Sequence, residues 1–196
     1  ILITIGITGG VGSGKSSVLD YIKRHYSAYV ILADEVGHQL MEPGGATYDR
    51  LIEVYGNGIL MEDGTIHKKK LAEIAFKDAA SIQKINGLTH PLICNAIVKE
   101  MEKIEKSGKY EFLFLETAIL EESGMSDECD WVWYIHAPDE VRIERLMASR
   151  GYSRQRCKAI MKQQMEEEKF YKIADYVIEN GGDFEETKAQ IHRLLG

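Results

Sequence analysis

Residues 7–22 read ITGGVGSGKSSVLDYI, and Gly9 to Ser16 within them fit the pattern G-x-x-x-x-G-K-[ST]. The pattern has its required flanks. Residues 1–7 are almost continuously apolar and rich in β-branched side chains, as in a strand buried on both faces. Residues 15–26 carry the spacing of a helix. A glycine-rich turn between a buried strand and a helix lets successive backbone N–H groups curl around an anion, and the helix N-terminus adds positive potential. Gly10, Gly12, Ser13, Gly14, Lys15, Ser16 and Ser17 are therefore expected to hold the phosphates of a nucleoside triphosphate. Lys15 would reach the β- and γ-phosphates, and the Ser16 hydroxyl would ligate Mg²⁺.

The rest of the chain repeats the strand–helix alternation. Further buried strands are expected at 29–34 (YVILAD), 110–116 (YEFLFLE), 131–137 (WVWYIHA) and 176–180 (YVIEN), with a closing helix at 184–195. That order predicts an α/β fold with a five-stranded parallel sheet covered by helices on both faces. About seventy residues separate the second and third strands, far more than the dozen or so a simple crossover needs. They carry helical patterns at 35–41, 46–55, 68–76 and 81–106, the last interrupted near His90-Pro91, and a turn at 61–65 marked by Asp63-Gly64. A second, highly charged helical insertion runs from 139 to 173. The predicted division is a nucleotide-binding core at 1–35, 108–138 and 174–196, a helical acceptor-binding insertion at 36–107, and a lid at 139–173.

The chain has 196 residues, 44% of them hydrophobic, and a net charge of −7, so it lacks the basic face of a nucleic-acid binder. Residues 1–7 are too short an apolar run to span a bilayer. Three scattered cysteines, Cys94, Cys129 and Cys157, read as reduced thiols of a cytoplasmic protein rather than a disulfide frame or a zinc site.

The loop alone leaves the fate of the phosphoryl group open, because GTPases, ATPases and small-molecule kinases share it. No Asn-Lys-x-Asp base-reading motif is present, and the chain is short for an oligomeric ATPase. A helical lid and a helical insertion favour a kinase, which must keep water from the transfer. Asp34, ending the second strand, can accept the proton of an acceptor hydroxyl, or it can simply cap the helix that follows. Glu116, ending the third, stands where an acid would support Mg²⁺, or is a solvated strand-end charge. Among the insertion's arginines, Arg145 and Arg150 are candidates for stabilising the transferring group, while Arg142 reads as paired with Glu140 or Glu144. Lys68, in the cluster HKKK, can meet phosphates of an anionic acceptor or merely start a helix. His90 reads as a structural histidine at a helix break. Asn180, in ENGGD, offers amide donors and acceptors at the adenine edge, although a plain strand-to-helix turn accounts for the glycines equally well.

The segment GITGGVGSGKSSV resembles the opening of dephospho-coenzyme A kinases. The stretches LADEVGHQLMEPGGATYDRLIEVYG, LMEDGTIHKKKLAEIAF, THPLI, ILEESGM and IADYVIENGGDFEE follow in that family's order, so the resemblance spans nearly the whole chain. It implies transfer of the ATP γ-phosphoryl group to the ribose 3′-hydroxyl of dephospho-coenzyme A, with Mg²⁺, by a three-layer phosphate-loop kinase acting as a cytoplasmic monomer. It implies Asp34 as base, acceptor contacts at Asp34, His38, Lys68 and His90, and the adenine edge at Asn180. The family's D-A-D is Leu32-Ala33-Asp34 here, its following arginine is His38, and its P-L-L-F-E is residues 118–122, AILEE. Lys68 also stands where the family often has arginine. On the residues alone, a kinase of another small molecule, such as a nucleoside, nucleotide or shikimate-like acceptor, stays open. So does a nucleotide-sensing module without turnover.

Overall fold

A computed structural model describes all 196 residues. The elements follow in the order β1 (Ile3–Thr8), α1 (Lys15–His25), β2 (Ala28–Leu32), α2 (Ala33–Leu40), α3 (Ala46–Tyr55), α4 (Lys68–Ala75), α5 (Ala79–Ser107), β3 (Phe112–Glu116), β4 (Trp131–His136), α6 (Asp139–Arg150), α7 (Arg154–Lys162), α8 (Glu167–Ile173), β5 (Tyr176–Glu179) and α9 (Phe184–Leu195). Short 3₁₀ turns occupy Asn57–Ile59 and Met125–Glu128. The chain divides into two compact units, one comprising Ile1–Val30 and Ser107–Gly196, the other Ile31–Lys106.

The five strands form one parallel sheet in the order β2-β3-β1-β4-β5. β1 is central, pairing Ile3 with Phe112 and Ile7 with Glu116 on one side, and Ile5 with Trp131 and Thr8 with Tyr134 on the other. Helical crossovers cover both faces of such a sheet, so its inner strands are apolar throughout rather than alternating. Accordingly Ile5, Ile7, Leu113, Phe114, Leu115, Trp133 and Ile135 are all buried, and Phe114 meets Trp133 edge-on at 5.5 Å between ring centroids. Bound groups in parallel sheets collect at the carboxyl ends of the strands. The loop leaving β1 is thus the natural floor of a site.

Within the first unit, the 139–173 segment folds on a small apolar centre of its own. Ile143, Leu146 and Cys157 are buried there, with Val11, Tyr152 and Met161 packed around them. α8 is fastened to the sheet separately: Phe170 stacks on Tyr134 at 4.9 Å, and Glu167 Oε1 lies 2.8 Å from His136 Nε2.

The second unit has a separate core of Leu51, Ile59, Ile66 and Leu71, flanked by residues such as Tyr48, Tyr55 and Ile85. The Asp63-Gly64 turn is present, closed by the Met61 N–H to Thr65 O bond of 2.8 Å and by a Leu60–Ile66 bridge. Two boundaries differ from expectation. The second strand ends at Leu32, and Asp34 lies in the first turn of α2. The fourth helical pattern is not interrupted at Pro91: α5 runs unbroken for 29 residues. A proline withholds only one donor from a helix this long, and the bonds on either side keep it continuous.

Candidate active site

The loop between β1 and α1 is shaped by its glycines and gripped by side chains from distant parts of the chain. Gly14 caps α1 with φ +89, and Gly12 has φ +78, both in the left-handed region that side chains rarely adopt. Their missing side chains also make room. A Cβ on Gly12 would come within 2.8 Å of the Arg142 carbonyl oxygen, and one on Gly14 would collide with the Asn180 amide nitrogen.

Lys15 bends back over the loop, donating to the carbonyls of Gly9 at 2.7 Å and Gly10 at 3.2 Å. That fold-back places its ammonium among the loop's backbone groups, the position from which it would meet a phosphate oxygen. Ser16 and Ser17 are exposed in the first turn of α1. Ser13 is 1% exposed, and its hydroxyl oxygen has no hydrogen-bond partner.

Arg145, one of the expected site residues, sends one terminal nitrogen of its guanidinium to the carbonyls of Gly12 (3.3 Å) and Ser13 (3.2 Å), and the other to the carbonyl of Asn180 (2.6 Å). Asn180 is buried just beyond β5. Its amide nitrogen donates to Ser13 O at 2.9 Å, and its oxygen accepts from Thr187 Oγ1 at 2.8 Å. Both ends of that amide are therefore engaged within the protein. Arg150 is exposed at the last turn of α6, with its guanidinium 5.9 Å from the Tyr152 ring.

Two residues escaped the sequence reading. Arg142 is not paired with Glu140 or Glu144. Its Nε donates to Val11 O at 2.9 Å, one terminal nitrogen reaches Gln164 Oε1 at 2.8 Å, and the other lies 3.3 Å from Asp139. Gln164 Oε1 also accepts the Val11 N–H at 3.0 Å. The available signal was the i, i+3 placement of Arg142 and Arg145, which puts both on one helical face.

Glu116 ends β3 directly across from Ile7, half-buried beside the strand that feeds the loop. Mg²⁺ takes oxygen ligands and is commonly held by one or two carboxylates together with substrate phosphates. The Ser16 hydroxyl and the Glu116 carboxylate supply the oxygen chemistry that this ion requires.

In the second unit, Asp34 and His38 are exposed on α2, and no side chain caps that helix, whose N-cap position is Leu32. Asp34 is thus not consumed as a cap. Lys68 is exposed at the start of α4, where the His67 ring caps the helix by accepting from the Lys70 N–H at 3.3 Å. His90 is half-buried within α5.

The loop, the sheet order and the strand-end acid describe a phosphate-loop enzyme without saying which. The family model for dephospho-CoA kinase matches residues 3–186. The chain belongs to the dephospho-CoA kinase family. The dephospho-CoA kinase of Aquifex aeolicus is 40% identical over 191 residues, covering 97% of this chain and 94% of that one. That of Carboxydothermus hydrogenoformans is 35% identical over 195 residues, covering 100% and 94%. Among solved structures, TT1252 from Thermus thermophilus superposes with a TM-score of 0.79 at 29% identity, covering 99% of this chain and 98% of its own. Dephospho-CoA kinase membership thus extends across the phosphate loop and both helical segments, 36–107 and 139–173.

Proposed function

We propose that this chain carries out its family's reaction: ATP-dependent phosphorylation of the ribose 3′-hydroxyl of dephospho-CoA, giving CoA and ADP as the last step of coenzyme A synthesis. The observation that carries this reading is the family match over residues 3–186, which includes the complete phosphate loop.

In this reading the backbone amides of Gly10 to Ser17 and the Lys15 ammonium bind the ATP phosphates. Lys15, already folded over the Gly9 and Gly10 carbonyls, turns to the terminal phosphate and neutralises charge there. Ser16 and Glu116 would hold Mg²⁺, which would supply Lewis-acid neutralisation of the phosphate charge. Asp34 accepts the proton from the acceptor hydroxyl, its carboxylate not being taken up in capping α2. Arg145 and Arg150 supply positive charge on the nucleotide side, and Arg145 also fixes the loop carbonyls. Asn180 borders the adenine and ties that border to the loop through Ser13. Acceptor contacts come from Asp34, His38, Lys68 and His90 in the 36–107 insertion, and 139–173 forms the lid. No helix of the chain is long and apolar enough to cross a membrane. We take the enzyme to act as a monomer in the cytoplasm, where its three cysteines, none of them in a disulfide, stay reduced.

Coupled ADP release measured against a panel of acceptors tests the reading. Dephospho-CoA alone should support turnover, with CoA as the product. Release that requires a nucleoside or shikimate instead would reassign the acceptor, and ATP binding without turnover on any acceptor would make the chain a sensor. Asp34→Asn should lower kcat by about 100-fold or more, the usual share of a general base, with ATP affinity within about twofold of wild type. Near-normal turnover would remove Asp34 as the base.

A further inference from the structure

The phosphate loop has a tip, Val11, with one backbone N–H and one carbonyl to satisfy. Both are claimed by residues more than a hundred positions distant. The Val11 carbonyl accepts from Arg142 Nε at 2.9 Å, and the Val11 N–H donates to Gln164 Oε1 at 3.0 Å. The same Gln164 oxygen accepts from Arg142 at 2.8 Å, which closes a ring of three bonds around one residue. The Val11 side chain packs into the apolar centre formed by Ile143, Leu146 and Cys157. The tip is therefore seated from three directions, and a single side-chain oxygen joins the two polar ones.

Gln164 suits that task by chemistry and position. It lies on the turn between α7 and α8, with its own N–H bonded to Met161 O at 3.2 Å. Its side-chain oxygen accepts from the Val11 N–H and from Arg142 at once. Behind the pair lies a cavity of about 600 Å³ between α6 and the α7–α8 turn. Asp139, already 3.3 Å from the other terminal nitrogen of Arg142, lines the same space, while Glu140 there is paired with Arg154. Without the Gln164 acceptor, Asp139 is the remaining side-chain partner of Arg142 and draws the guanidinium toward it, so the Val11 N–H loses its acceptor and the Val11 carbonyl its aligned donor.

We infer that Gln164 is a positioning residue for ATP: it sets the Val11 peptide and Arg142 so that the remaining loop amides stand ready for the phosphates. This rests on reading the loop as the ATP-phosphate site but not on the identity of the acceptor. The test measures ATP dissociation constants in the absence of acceptor, KM for each substrate, and the exchange protection of the Val11 amide. Gln164→Leu should weaken ATP binding and raise its KM by about tenfold, the equivalent of one lost bond to a charged group. KM for the acceptor should stay within about twofold, and the Val11 amide should lose its protection. Gln164→Glu, which keeps an acceptor oxygen at the same reach, should restore that protection and bind ATP within about threefold of wild type. The exposed neighbour change Gln163→Leu should leave ATP binding unaltered. If Gln164→Leu fails to fold, Gln164→Met carries the same expectation. ATP affinity within twofold of wild type in the Leu or Met variant overturns the inference, as does a Glu variant that binds as weakly as Leu. A wild-type chain that binds no ATP overturns the loop reading itself, whereas failure to turn over dephospho-CoA leaves this inference standing.

Discussion

The hydroxyl of Ser13 is enclosed in the phosphate loop with no hydrogen-bond partner, and a buried polar group in that state costs about 1–3 kcal/mol. Ser13→Ala should therefore raise the melting temperature of the nucleotide-free protein, by a few degrees at most, in a thermal scan. A lower melting temperature would show that the oxygen is satisfied in solution. Cys129 offers a second residue-level check. Burial first, then the neighbouring Asp130 and Glu128 carboxylates, pushes its thiol from the usual 9.0 up to about 12. At pH 9 about one such thiol in a thousand is ionised, so iodoacetamide should label Cys129 in the unfolded chain and spare it in the folded one, as read by peptide mass mapping. The linkage has a definite sign. Above pH 9 the unfolded chain gives up this proton while the folded one keeps it, so stability falls as the pH climbs toward 12. At this scale the sequence was legible wherever chemistry is local: the glycines, Lys15 and Ser16 announce an anion site within eight consecutive residues. Gln164 was invisible because its partner Val11 lies 153 positions away, and nothing in KQQME distinguishes it from its exposed neighbour Gln163.

Among the elements, the strands were legible because burial on both faces leaves runs such as FLFLE and WVWYIH with no polar interruption. Their ends were less so. The segment YVILAD hands over from strand to helix at Ala33, since acids in the first turn of a helix are favoured by its dipole, and Asp34 and Glu35 both fall there. Pro91 illustrates the opposite error, a breaker that does not break. A proline costs about 3 kcal/mol relative to alanine inside a helix, and Pro91 is exposed within α5. Pro91→Ala should accordingly stabilise the chain by up to about 3 kcal/mol in urea titration. Leu146→Ala should do the reverse, costing about 2–5 kcal/mol by hollowing the apolar centre of the 139–173 segment. Because Val11 shares that centre, this variant should also weaken ATP binding, which a plain cavity elsewhere in the core would not.

For the whole molecule, a ligand held only by the folded state stabilises by mass action. Saturating ATP at about a hundred times its dissociation constant should add about 2.7 kcal/mol, visible as a rise in melting temperature that depends on nucleotide concentration. The division into two compact units gives that experiment a map. Under hydrogen exchange, ATP should protect residues 9–17 in the first unit, and dephospho-CoA should protect residues in 31–106. Protection of the second unit by ATP alone would mean that the two substrates are not bound in the separate regions proposed. The fold class was readable at this scale, since alternating strands and helices leave few architectures. The strand order was not, because no residue in β1 states which later strands will flank it.

That order has a consequence for the protein's manufacture. β1 is made first, yet its neighbours are Phe112 in β3 and Trp131 in β4, 109 and 126 residues later along the chain from Ile3 and Ile5. At a synthesis rate of about 5–20 residues per second, the first strand waits about 6–25 seconds for its second partner to exist. During that interval a nascent chain displays ILITIGI, an apolar, β-prone edge of the kind that pairs with any other exposed strand. The central seat of the phosphate loop is thus secured late, and crowded polysomes rather than the finished enzyme are where this sequence is most exposed to aggregation.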